Sequence, residues 1–494
     1  MTDIDRSLLK RVSFSYAKRF SLLPIRTEGD TVVVASSHPD DFQPIDDLRH
    51  ILNAPVRAMY MEERELLDLI NKVYHEAASD EHATFVIDDV SAVEETKDLL
   101  EWSDDEAPAV RLVNALLSRG LQKRASDIHF EPLAIEAKVR FRVDGILHEI
   151  QSIPKGLYRS VVSRAKVIAG MNVAERRLPQ DGGIRVRIAG RDVDIRASTI
   201  PTAFGERLVL RLLDRERVMI GLEDLGLATE MLRRYSRLIN RTNGIILITG
   251  PTGSGKTTTL YASLSSMNSS EKNILTVEDP IEYQLKQIGQ MQVNPKVGLT
   301  FARGLRHILR QDPDIIMVGE IRDRETADMA IQAALTGHLV LSTLHTSDSA
   351  GAVTRLVDMG IEPFLVSSSL IGVIAQRLIR VLCPRCREHY EPGADDLRVL
   401  GVVGQTSRPI PELLYRRGGC DECLGTGYLG RTGVYELLDI DDDIRKVILQ
   451  GGDSRSIRTE ADKKAMKKMI VDGAEKVLSG TTSIEEVLRV MQEE

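Results

Sequence analysis

A glycine-rich segment between a β-branched run and a helical pattern constrains this chain most. It reads GIILITGPTGSGKTTTL over residues 244–260, and Gly250, Gly255, Lys256 and Thr257 have the spacing of a Walker A phosphate loop. Glycines let consecutive backbone N–H groups surround phosphate oxygens, toward which the positive end of the next helix points. The segment therefore predicts a nucleotide site. A Gly/Ser-rich turn that binds nothing is the alternative, and the strand and helix on either side disfavour it.

The same motif assigns roles to individual residues. Lys256 is placed to reach the β- and γ-phosphates, and the hydroxyl of Thr257 is placed to ligate Mg²⁺. We predict that ATP is bound by Gly250, Pro251, Thr252, Gly253, Ser254, Gly255, Lys256, Thr257 and Thr258.

Strand and helix patterns alternate after the loop, which is typical of an α/β domain with a parallel sheet. We predict strands at NILTVEDP, DIIMVGE and LVLSTLHT, and helices around LRHILRQ and over TADMAIQAAL. Ligands bind at the carboxyl ends of such strands. Glu278 and Asp279, Glu320, and His345 stand at three of these ends, and His338 precedes the last strand. Glu320 is the candidate for positioning the attacking water. The alternatives are a helix N-cap for a carboxylate and a hydrogen-bonded core residue for either histidine.

Length and composition bound the other possibilities. The 494 residues suggest three or four domains, and the net charge of −8 does not favour a nucleic-acid partner. The sequence has neither an apolar run of membrane-spanning length nor an N-terminal signal-peptide pattern. We therefore expect a cytoplasmic protein whose contact with a membrane is indirect, through a partner.

Changes in pattern along the chain predict its domains. We expect a small α/β docking domain over residues 1–78, with helices over residues 6–20 and 63–77 and a strand at DTVVVASSH. An acidic flexible linker follows at 79–106, and an α+β domain at 107–220. Residues 221–230 then connect to the nucleotide domain at 231–494, which ends in a helix starting on a capping box from Thr482 to Glu485.

The second domain is predicted as a helix packed on an antiparallel sheet. Its helix has Val110, Val113, Leu117 and Leu121 on one face. The segment EAKVRFRVDGIL alternates basic and apolar residues and then turns at Asp-Gly, which is a hairpin signal. The segment RVRIAGRDVDIRAS repeats the pattern from Arg185. The sheet face is lined with basic side chains such as Lys138, Arg140 and Arg142. These arginines either line a solvated face or contact phosphate across a subunit boundary.

All four cysteines occur in two C-x-x-C pairs, Cys383 with Cys386 and Cys420 with Cys423. This pattern predicts a structural Cys₄ zinc site in an insert over residues 381–430. The 33 residues between the pairs exceed the commoner zinc-ribbon loop. Free reduced thiols are the alternative.

The chain from about residue 107 onward resembles the secretion ATPase superfamily of type II secretion and type IV pilus systems. The segments GPTGSGKTTT, LTVEDPIE, DIIMVGE and LVLSTLHT are similar to its Walker A motif, Asp box, Walker B motif and His box. The segments RASDIHFEP, RRLPQDG and FGERLVLRLL also fit. The resemblance implies a RecA-like P-loop NTPase domain preceded by an α+β, PAS-like domain.

The resemblance also implies roles for particular residues. Glu320 would be the catalytic glutamate, assisted by Glu278 and Asp279. His345 would sense the γ-phosphate or link it to neighbouring domains. Members of the superfamily act as hexamers in which arginines of the second domain complete the site. The matching positions are Arg196 and Arg211, with Arg207 as a lesser candidate. Other charged positions near the site or the subunit interface are matched by Arg306, Arg310 and Arg322.

We therefore expect a hexameric ATPase with ATP, Mg²⁺ and Zn²⁺ as cofactors. It would power protein export through a type II secretion system, docked on inner-membrane platform proteins by its N-terminal domain. Two alternatives remain open on the sequence: a type IV pilus assembly ATPase, and a nucleotide-gated scaffold with little turnover.

Overall fold

The fold is taken from a computed structural model. It describes residues 5, 8, 12, 16, 17, 20–52, 54–63, 65–67, 69, 70, 73, 108–188, 191–214, 220–401 and 411–492. The predicted acidic linker and most of the predicted first helix lie outside these residues. Two compact units are present, Met1–Arg217 and Val218–Glu494. None of the described helices combines the length and the hydropathy that a bilayer crossing requires.

The first domain of the first unit is a small α/β fold. Its elements are β1 (Leu22–Glu28), β2 (Thr31–Ser36), α1 (Phe42–Leu52) and β3 (Val56–Tyr60). The sheet has β2 at its centre, antiparallel to β1 and parallel to β3. The strand expected at DTVVVASSH is thus confirmed as β2, while the helix expected over residues 63–77 is described only in part, and those positions are helical.

The second domain is a six-stranded antiparallel sheet with two helices. Its elements are α2 (Pro108–Gln122), β4 (Asp127–Pro132), β5 (Glu136–Val143), β6 (Ile146–Pro154), α3 (Lys155–Ile168), β7 (Gln180–Ile188), β8 (Arg191–Thr202) and β9 (Gly205–Asp214). The strand order is β6-β5-β4-β9-β8-β7. Both predicted hairpins are present as β5–β6 and β7–β8.

Two local features of this domain test the sequence patterns. The turn between β5 and β6 has positive φ at both Asp144 and Gly145, +48° and +89°, as a two-residue hairpin turn requires. The predicted face of α2 is only half right. Val113 and Leu117 are buried, but Val110 and Leu121 are partly exposed, and Leu116 and Gly120 are buried in their place. Gly120 packs closely against Ile128, whose side chain would lie 3.0 Å from an added Cβ, and Leu121 packs at the margin of the same core.

The second unit is built on a seven-stranded sheet. Its first half contains a 3₁₀ turn (Leu222–Leu225), α4 (Thr229–Ile239), β10 (Gly244–Thr249), α5 (Lys256–Met267), β11 (Ile274–Glu278), β12 (Gly289–Gln292), α6 (Phe301–Ile308), β13 (Ile315–Val318), α7 (Arg324–Leu335) and β14 (Leu339–Leu344). Its second half contains α8 (Ser349–Asp358), α9 (Pro363–Ser369), β15 (Leu370–Leu382), β16 (Glu388–Tyr390), α10 (Ala394–Gly401), β17 (Leu414–Arg416), β18 (Tyr428–Asp439), α11 (Asp442–Leu449), α12 (Ser454–Lys463), α13 (Met469–Leu478) and α14 (Ile484–Gln492).

The strand order of this sheet is β12-β11-β13-β14-β10-β15-β18. All neighbours are parallel except β15 and β18. The predicted strands at β11, β13 and β14 are confirmed. The helix expected around LRHILRQ begins earlier, at Phe301, where the hydroxyl of Thr300 accepts a hydrogen bond from the N–H of Arg303, and it ends at Ile308.

Both faces of the sheet are covered by helices, so its central strands are buried on either side. The segment predicted as a connector contributes Leu222, Leu225 and Leu227 to one of these cores, beside α4. These residues therefore pack as part of the nucleotide domain, because their apolar side chains gain more from burial than a solvated connector would.

The end of the chain corrects one further prediction. The N-terminal cap of α14 is Ser483, whose hydroxyl accepts a hydrogen bond from the N–H of Glu486. The hydroxyl of Thr482, predicted as the cap, donates instead to the carbonyl oxygen of Arg380 on β15. The TTS run offers three adjacent hydroxyls, and the contact of Thr482 with β15 leaves Ser483 as the cap.

Candidate nucleotide site and cysteine cluster

The phosphate loop connects β10 to α5 through three glycines with positive φ. These are Gly250 at +148°, Gly253 at +81° and Gly255 at +88°. A Cβ on Gly250 would lie 2.3 Å from the carbonyl oxygen of Gln376, so only glycine fits there. No side chain caps the N-terminus of α5, which leaves its first N–H groups facing the loop. This arrangement fits the phosphates of a nucleotide.

Lys256 begins α5 and lies against the loop. Its Nζ donates to the carbonyl oxygens of Gly250 at 2.7 Å and Pro251 at 3.1 Å. Burial lowers the pKa of Lys256, and the nearby carboxylate of Glu320 acts in the opposite direction. Thr257, the predicted Mg²⁺ ligand, is exposed in the first turn of the same helix. An anion in the loop would offset the cost of holding the ammonium charge there.

Glu320 follows β13 and lies beside two basic side chains. Its Oε1 is 2.6 Å from Arg322, and its Oε2 is 3.5 Å from Nε2 of His345. The hydrogen bond to Glu320 raises the pKa of Arg322. The sheet order β13-β14-β10 places Glu320 and His345 on successive strand ends next to the loop. The structure thus brings together Lys256, Glu320 and His345, as the sequence predicts.

Glu278 stands in a different environment from Glu320. Its side chain is buried, and it accepts hydrogen bonds from Tyr261, from Thr276 at 2.6 Å and from Gln290 at 3.0 Å. These partners occupy both carboxylate oxygens. The neighbouring Asp279 is exposed and acts electrostatically on Arg322. Of the two acidic residues predicted here, Asp279 is therefore the one that faces outward.

His338 lies at the amino end of β14, the opposite edge of the sheet from the loop. Its Nδ1 is 2.8 Å from the carbonyl oxygen of Ala333 at the end of α7. His338 is therefore hydrogen-bonded, as the alternative expected, but it is only partly buried rather than a core residue.

Gln376 on β15 is a site residue that the sequence did not indicate. Its Nε2 donates to the carbonyl oxygen of Ser254 at 2.7 Å, and its Oε1 accepts from Thr259 at 2.8 Å. Gln376 is buried and holds both the loop and the first turns of α5. It lies about 120 residues from both partners in sequence, so no local pattern marks it.

A pocket of about 380 Å³ opens beside the loop. It is lined by residues 251–254 and 345–347, and by Arg377, Leu378, Arg489 and Val490. The last four come from β15 and α14, two elements that the sequence did not connect with the site.

The arginines predicted to complete the site lie on the sheet of the first unit. Arg196 on β8 stands directly opposite Arg211 on β9. Nε of Arg211 is 3.0 Å from Asp127, and Nε of Arg142 is 3.7 Å from the same carboxylate. A second carboxylate, Glu131, pairs with Arg140 and Arg207. Acidic residues of β4 therefore offset much of the positive charge on this face.

The remaining predicted arginines lie in the second unit near α6 and α7. Arg306 is 3.1 Å from Glu325, and Arg310 hydrogen-bonds to His307 at 2.6 Å. Neither pair includes Glu320, which contacts Arg322 instead.

The four cysteines converge at the end of the long β15–β18 hairpin. Their sulfur atoms all lie within 4.8 Å of one another. Three S–S separations are 3.9, 3.7 and 3.7 Å, far too long for disulfides. Four thiolates around Zn²⁺ at about 2.3 Å would be about 3.8 Å apart. The backbone N–H groups of Cys420 and Gly427 donate to the sulfur of Cys423. The donor set and its spacing therefore fit a tetrahedral zinc ion.

Two family matches cover nearly the whole sequence. Residues 102–489 match the type II/IV secretion system protein family, and residues 2–80 match the MshEN domain. The chain belongs to the type II/IV secretion system protein family. Within it, the relatives at 43–54% identity are type II secretion proteins.

Two of these relatives illustrate the likeness. The chain is 45% identical to the type II secretion system ATPase E of Vibrio cholerae, over 99% of this chain and 98% of the relative. It is 54% identical to the type II secretion system protein E of Pseudomonas aeruginosa, over 81% and 79% of the two chains.

Solved structures show the same fold. The pilus retraction motor PilT with bound ADP is 27% identical, with a TM-score of 0.53 over 76% of this chain and 95% of PilT. The ATPase DotB of Legionella pneumophila has a TM-score of 0.58 at 23% identity, over 78% of this chain and 97% of DotB. The expected P-loop ATPase fold is thereby confirmed.

Proposed function

We propose that this chain hydrolyses ATP with Mg²⁺ and uses the energy to power protein export through a type II secretion system. One observation carries the proposal: a phosphate loop with Lys256 lies beside a carboxylate, Glu320, that is held by Arg322 and His345. The relatives named type II secretion ATPase E supply the biological context. This context favours export over the pilus assembly alternative.

The residues divide the chemistry among themselves. Lys256 and the N–H groups of α5 bind the phosphates, and the hydroxyl of Thr257 would hold the metal ion. Mg²⁺, when bound there, would supply positive charge to offset the charge developing on the phosphates. Glu320 orients the attacking water through its carboxylate. Arg322 holds that carboxylate in place through a 2.6 Å contact with its Oε1.

Hydrolysis takes place in a homo-hexamer, in which arginines of one subunit complete the site of another. Arg196 and Arg211 are the candidates, since they face each other on neighbouring strands and the side chain of Arg211 is 59% exposed. A guanidinium that meets the phosphates only when domains close couples the reaction to movement. In this mechanism Arg211 exchanges Asp127 for phosphate oxygens.

The protein acts in the cytoplasm and reaches the inner membrane through partner proteins. The N-terminal domain, which matches the MshEN domain, docks on the secretion platform. Zn²⁺ is held by Cys383, Cys386, Cys420 and Cys423 and has a structural role, because four thiolates leave no open coordination position.

Steady-state turnover of the assembled protein tests the enzymatic part. The Glu320→Gln substitution should lower turnover about a hundredfold or more while ATP still binds, because the water loses its orienting carboxylate. The matched control is Glu230→Gln, which removes an exposed carboxylate paired with Arg233 on α4. Equal and negligible turnover in wild type and Glu320→Gln would favour the nucleotide-gated scaffold instead.

The arginines and the pathway need separate tests. Arg196→Ala should lower turnover more than it lowers ATP affinity, and equal losses would contradict a role in the transition state.

Capture of the full chain from a native extract tests the pathway. A secretion-platform protein in the eluate supports export, whereas a pilus-platform protein would favour the pilus alternative.

A further inference from the structure

The part of the pocket formed by β15 and α14 lies away from the residues that act on the terminal phosphate. The strands run in the order β13, β14, β10, β15, so Glu320 after β13 and the pocket residues of β15 are three strand positions apart. At about 4.8 Å per strand this separation is about 14 Å. A terminal phosphate between Lys256 and Glu320 would leave the β15 side of the pocket open for the sugar and base.

Residues of β15 reach this region because the strand continues past the end of β10. Ala375 pairs with Thr249, the last residue of β10, and β15 runs on to Leu382. Leu378 is close to the start of α5, since an added Cβ on Gly255 would lie 3.5 Å from it. Arg489 and Val490 of α14 line the same pocket. The wall thus combines apolar side chains with guanidinium groups, which suits a purine ring and a ribose.

We propose that α14 and β15 form the nucleoside half of the site, with Arg489 contacting the sugar or base, and that the cysteine knuckle holds α14 in place. The knuckle is defined here as residues 382–390 and 411–428. The proposal rests on the proposed function, since it assigns the part of ATP that the phosphate loop does not hold.

Buried polar contacts attach α14 to β15. Glu486 has a fully buried side chain and accepts hydrogen bonds from the backbone N–H of Arg380 at 3.0 Å and from its guanidinium. Arg489 donates to the same carboxylate at 2.7 and 2.9 Å. These two hydrogen bonds fix the position of the guanidinium group that lines the pocket. Arg377 donates to the carbonyl oxygen of Val490.

The knuckle is hydrogen-bonded to the turn that leads into α14. The backbone N–H of Leu382 donates to the carbonyl oxygen of Thr481 at 2.9 Å. Arg387 donates to the carbonyl oxygen of Gly480 at 2.9 Å while its guanidinium lies 4.3 Å from the ring centre of Tyr415.

Two contacts reach the first residues of α14 itself. The hydroxyl of Tyr428 lies 2.6 Å from that of Ser483, the N-terminal cap of α14. Arg417 lies 3.0 Å from Glu485 in the first turn. The start of α14 is therefore set by the knuckle, and its last turns line the pocket.

Calorimetric titration of the full chain with two probes separates the two halves of the site. MgADP reports the whole site, and inorganic tripolyphosphate reports the phosphate loop alone. Arg489→Lys keeps the charge but loses the planar guanidinium, and Arg387→Ala releases the turn while leaving all four cysteines. Each substitution should weaken the binding of MgADP about fivefold to tenfold and leave the binding of tripolyphosphate unchanged.

The matched control for Arg387→Ala is Arg416→Ala. Arg416 pairs with Glu388 across β16 and β17, inside the knuckle, and this ion pair does not include a residue of α14. It should leave both affinities unchanged. Zinc content and the unfolding transition, measured on every variant, identify any protein that has lost its fold. If Arg387→Ala does not fold, Tyr428→Phe replaces it, because it removes the hydroxyl contact with Ser483.

The outcomes are distinct. Unchanged MgADP affinity in folded Arg489→Lys and Arg387→Ala overturns the proposal, and so does an equal loss for both probes, because α14 would then act through the phosphate loop. If neither probe binds the wild-type protein, the proposed nucleotide function itself fails.

Discussion

The side-chain amide of Gln376 ties β15 to the phosphate loop through a 2.7 Å hydrogen bond to the carbonyl oxygen of Ser254. The same side chain accepts a hydrogen bond from Thr259 in α5. Gln376 is buried, and it lies on β15, the strand that continues toward the cysteine knuckle. The loop is therefore held from that side of the sheet. The shape of the loop therefore depends on a residue outside the motif.

The Gln376→Ala substitution tests this dependence. It leaves the carbonyl of Ser254 and the hydroxyl of Thr259 buried without their partner, which we expect to lower the free energy of unfolding by about 2–4 kcal/mol. ATP affinity should fall as well, because the loop loses its support. Urea unfolding and calorimetric titration measure the two effects. Gln332→Ala, at an exposed position on α7, is the control and should change neither.

Gly250 and Gly253 provide a matched pair for the geometry of the loop. A Cβ on Gly250 would collide with the backbone of Gln376, whereas a Cβ on Gly253 meets nothing within 4 Å. Gly253→Ala should therefore cost only about 1 kcal/mol of backbone strain. Gly250→Ala should weaken ATP binding at least about tenfold more than Gly253→Ala does. Equal affinities of the two variants would contradict the close packing of Gly250 against β15.

A site residue could be predicted from the sequence when its partners lie close to it along the chain, and not when they lie far away. The phosphate loop, Glu320 and the C-x-x-C pairs are defined by a few neighbouring residues, so their patterns are readable. Gln376, Arg489 and Val490 reach the site through packing between distant parts of the chain, which leaves no local pattern. Glu278 illustrates the reverse: its position at a strand end was correct, but its partners Tyr261 and Gln290 depend on the tertiary fold.

The same reasoning explains the smaller errors. The inner face of α2 was predicted from the helical spacing of its apolar residues alone. Gly120, which has no side chain, is buried because it admits Ile128. Likewise, the choice between Thr482 and Ser483 as the helix cap depends on the contact of Thr482 with Arg380, which lies 102 residues away.

Removal of one cysteine tests the zinc site. Cys423→Ser should abolish zinc binding and lower the free energy of unfolding by about 4 kcal/mol when free zinc exceeds the dissociation constant a thousandfold. A chelator should bring the wild-type protein down to the same stability and leave the variant unaffected. The control is Arg385→Ala, an exposed knuckle residue paired with Glu422, which keeps all four thiols. Wild-type stability that does not respond to a chelator would contradict a structural metal.

Glu486 should make the attachment of α14 sensitive to acid. Burial alone would raise the pKa of Glu486, but hydrogen bonds from Arg489 and Arg380 outweigh it and lower the pKa below its usual value. A carboxyl whose pKa is lower in the folded protein stabilises it fully above the unfolded pKa of about 4.3 and loses this effect as the pH falls through the folded pKa. Near neutral pH, Glu486→Gln should therefore cost about 3 kcal/mol. Urea unfolding at a series of pH values should show this cost shrinking below about pH 4.

The neighbouring residue Glu485 is the natural control for that series. Its side chain is 64% exposed and pairs with Arg417 at the surface, so Glu485→Gln should cost less than about 1 kcal/mol at any pH. A cost for Glu486→Gln that stays constant or grows on acidification would show that the buried carboxylate is not what holds α14. The contrast between two adjacent glutamates isolates the buried charge, because both substitutions change the same atoms in the same turn of the helix.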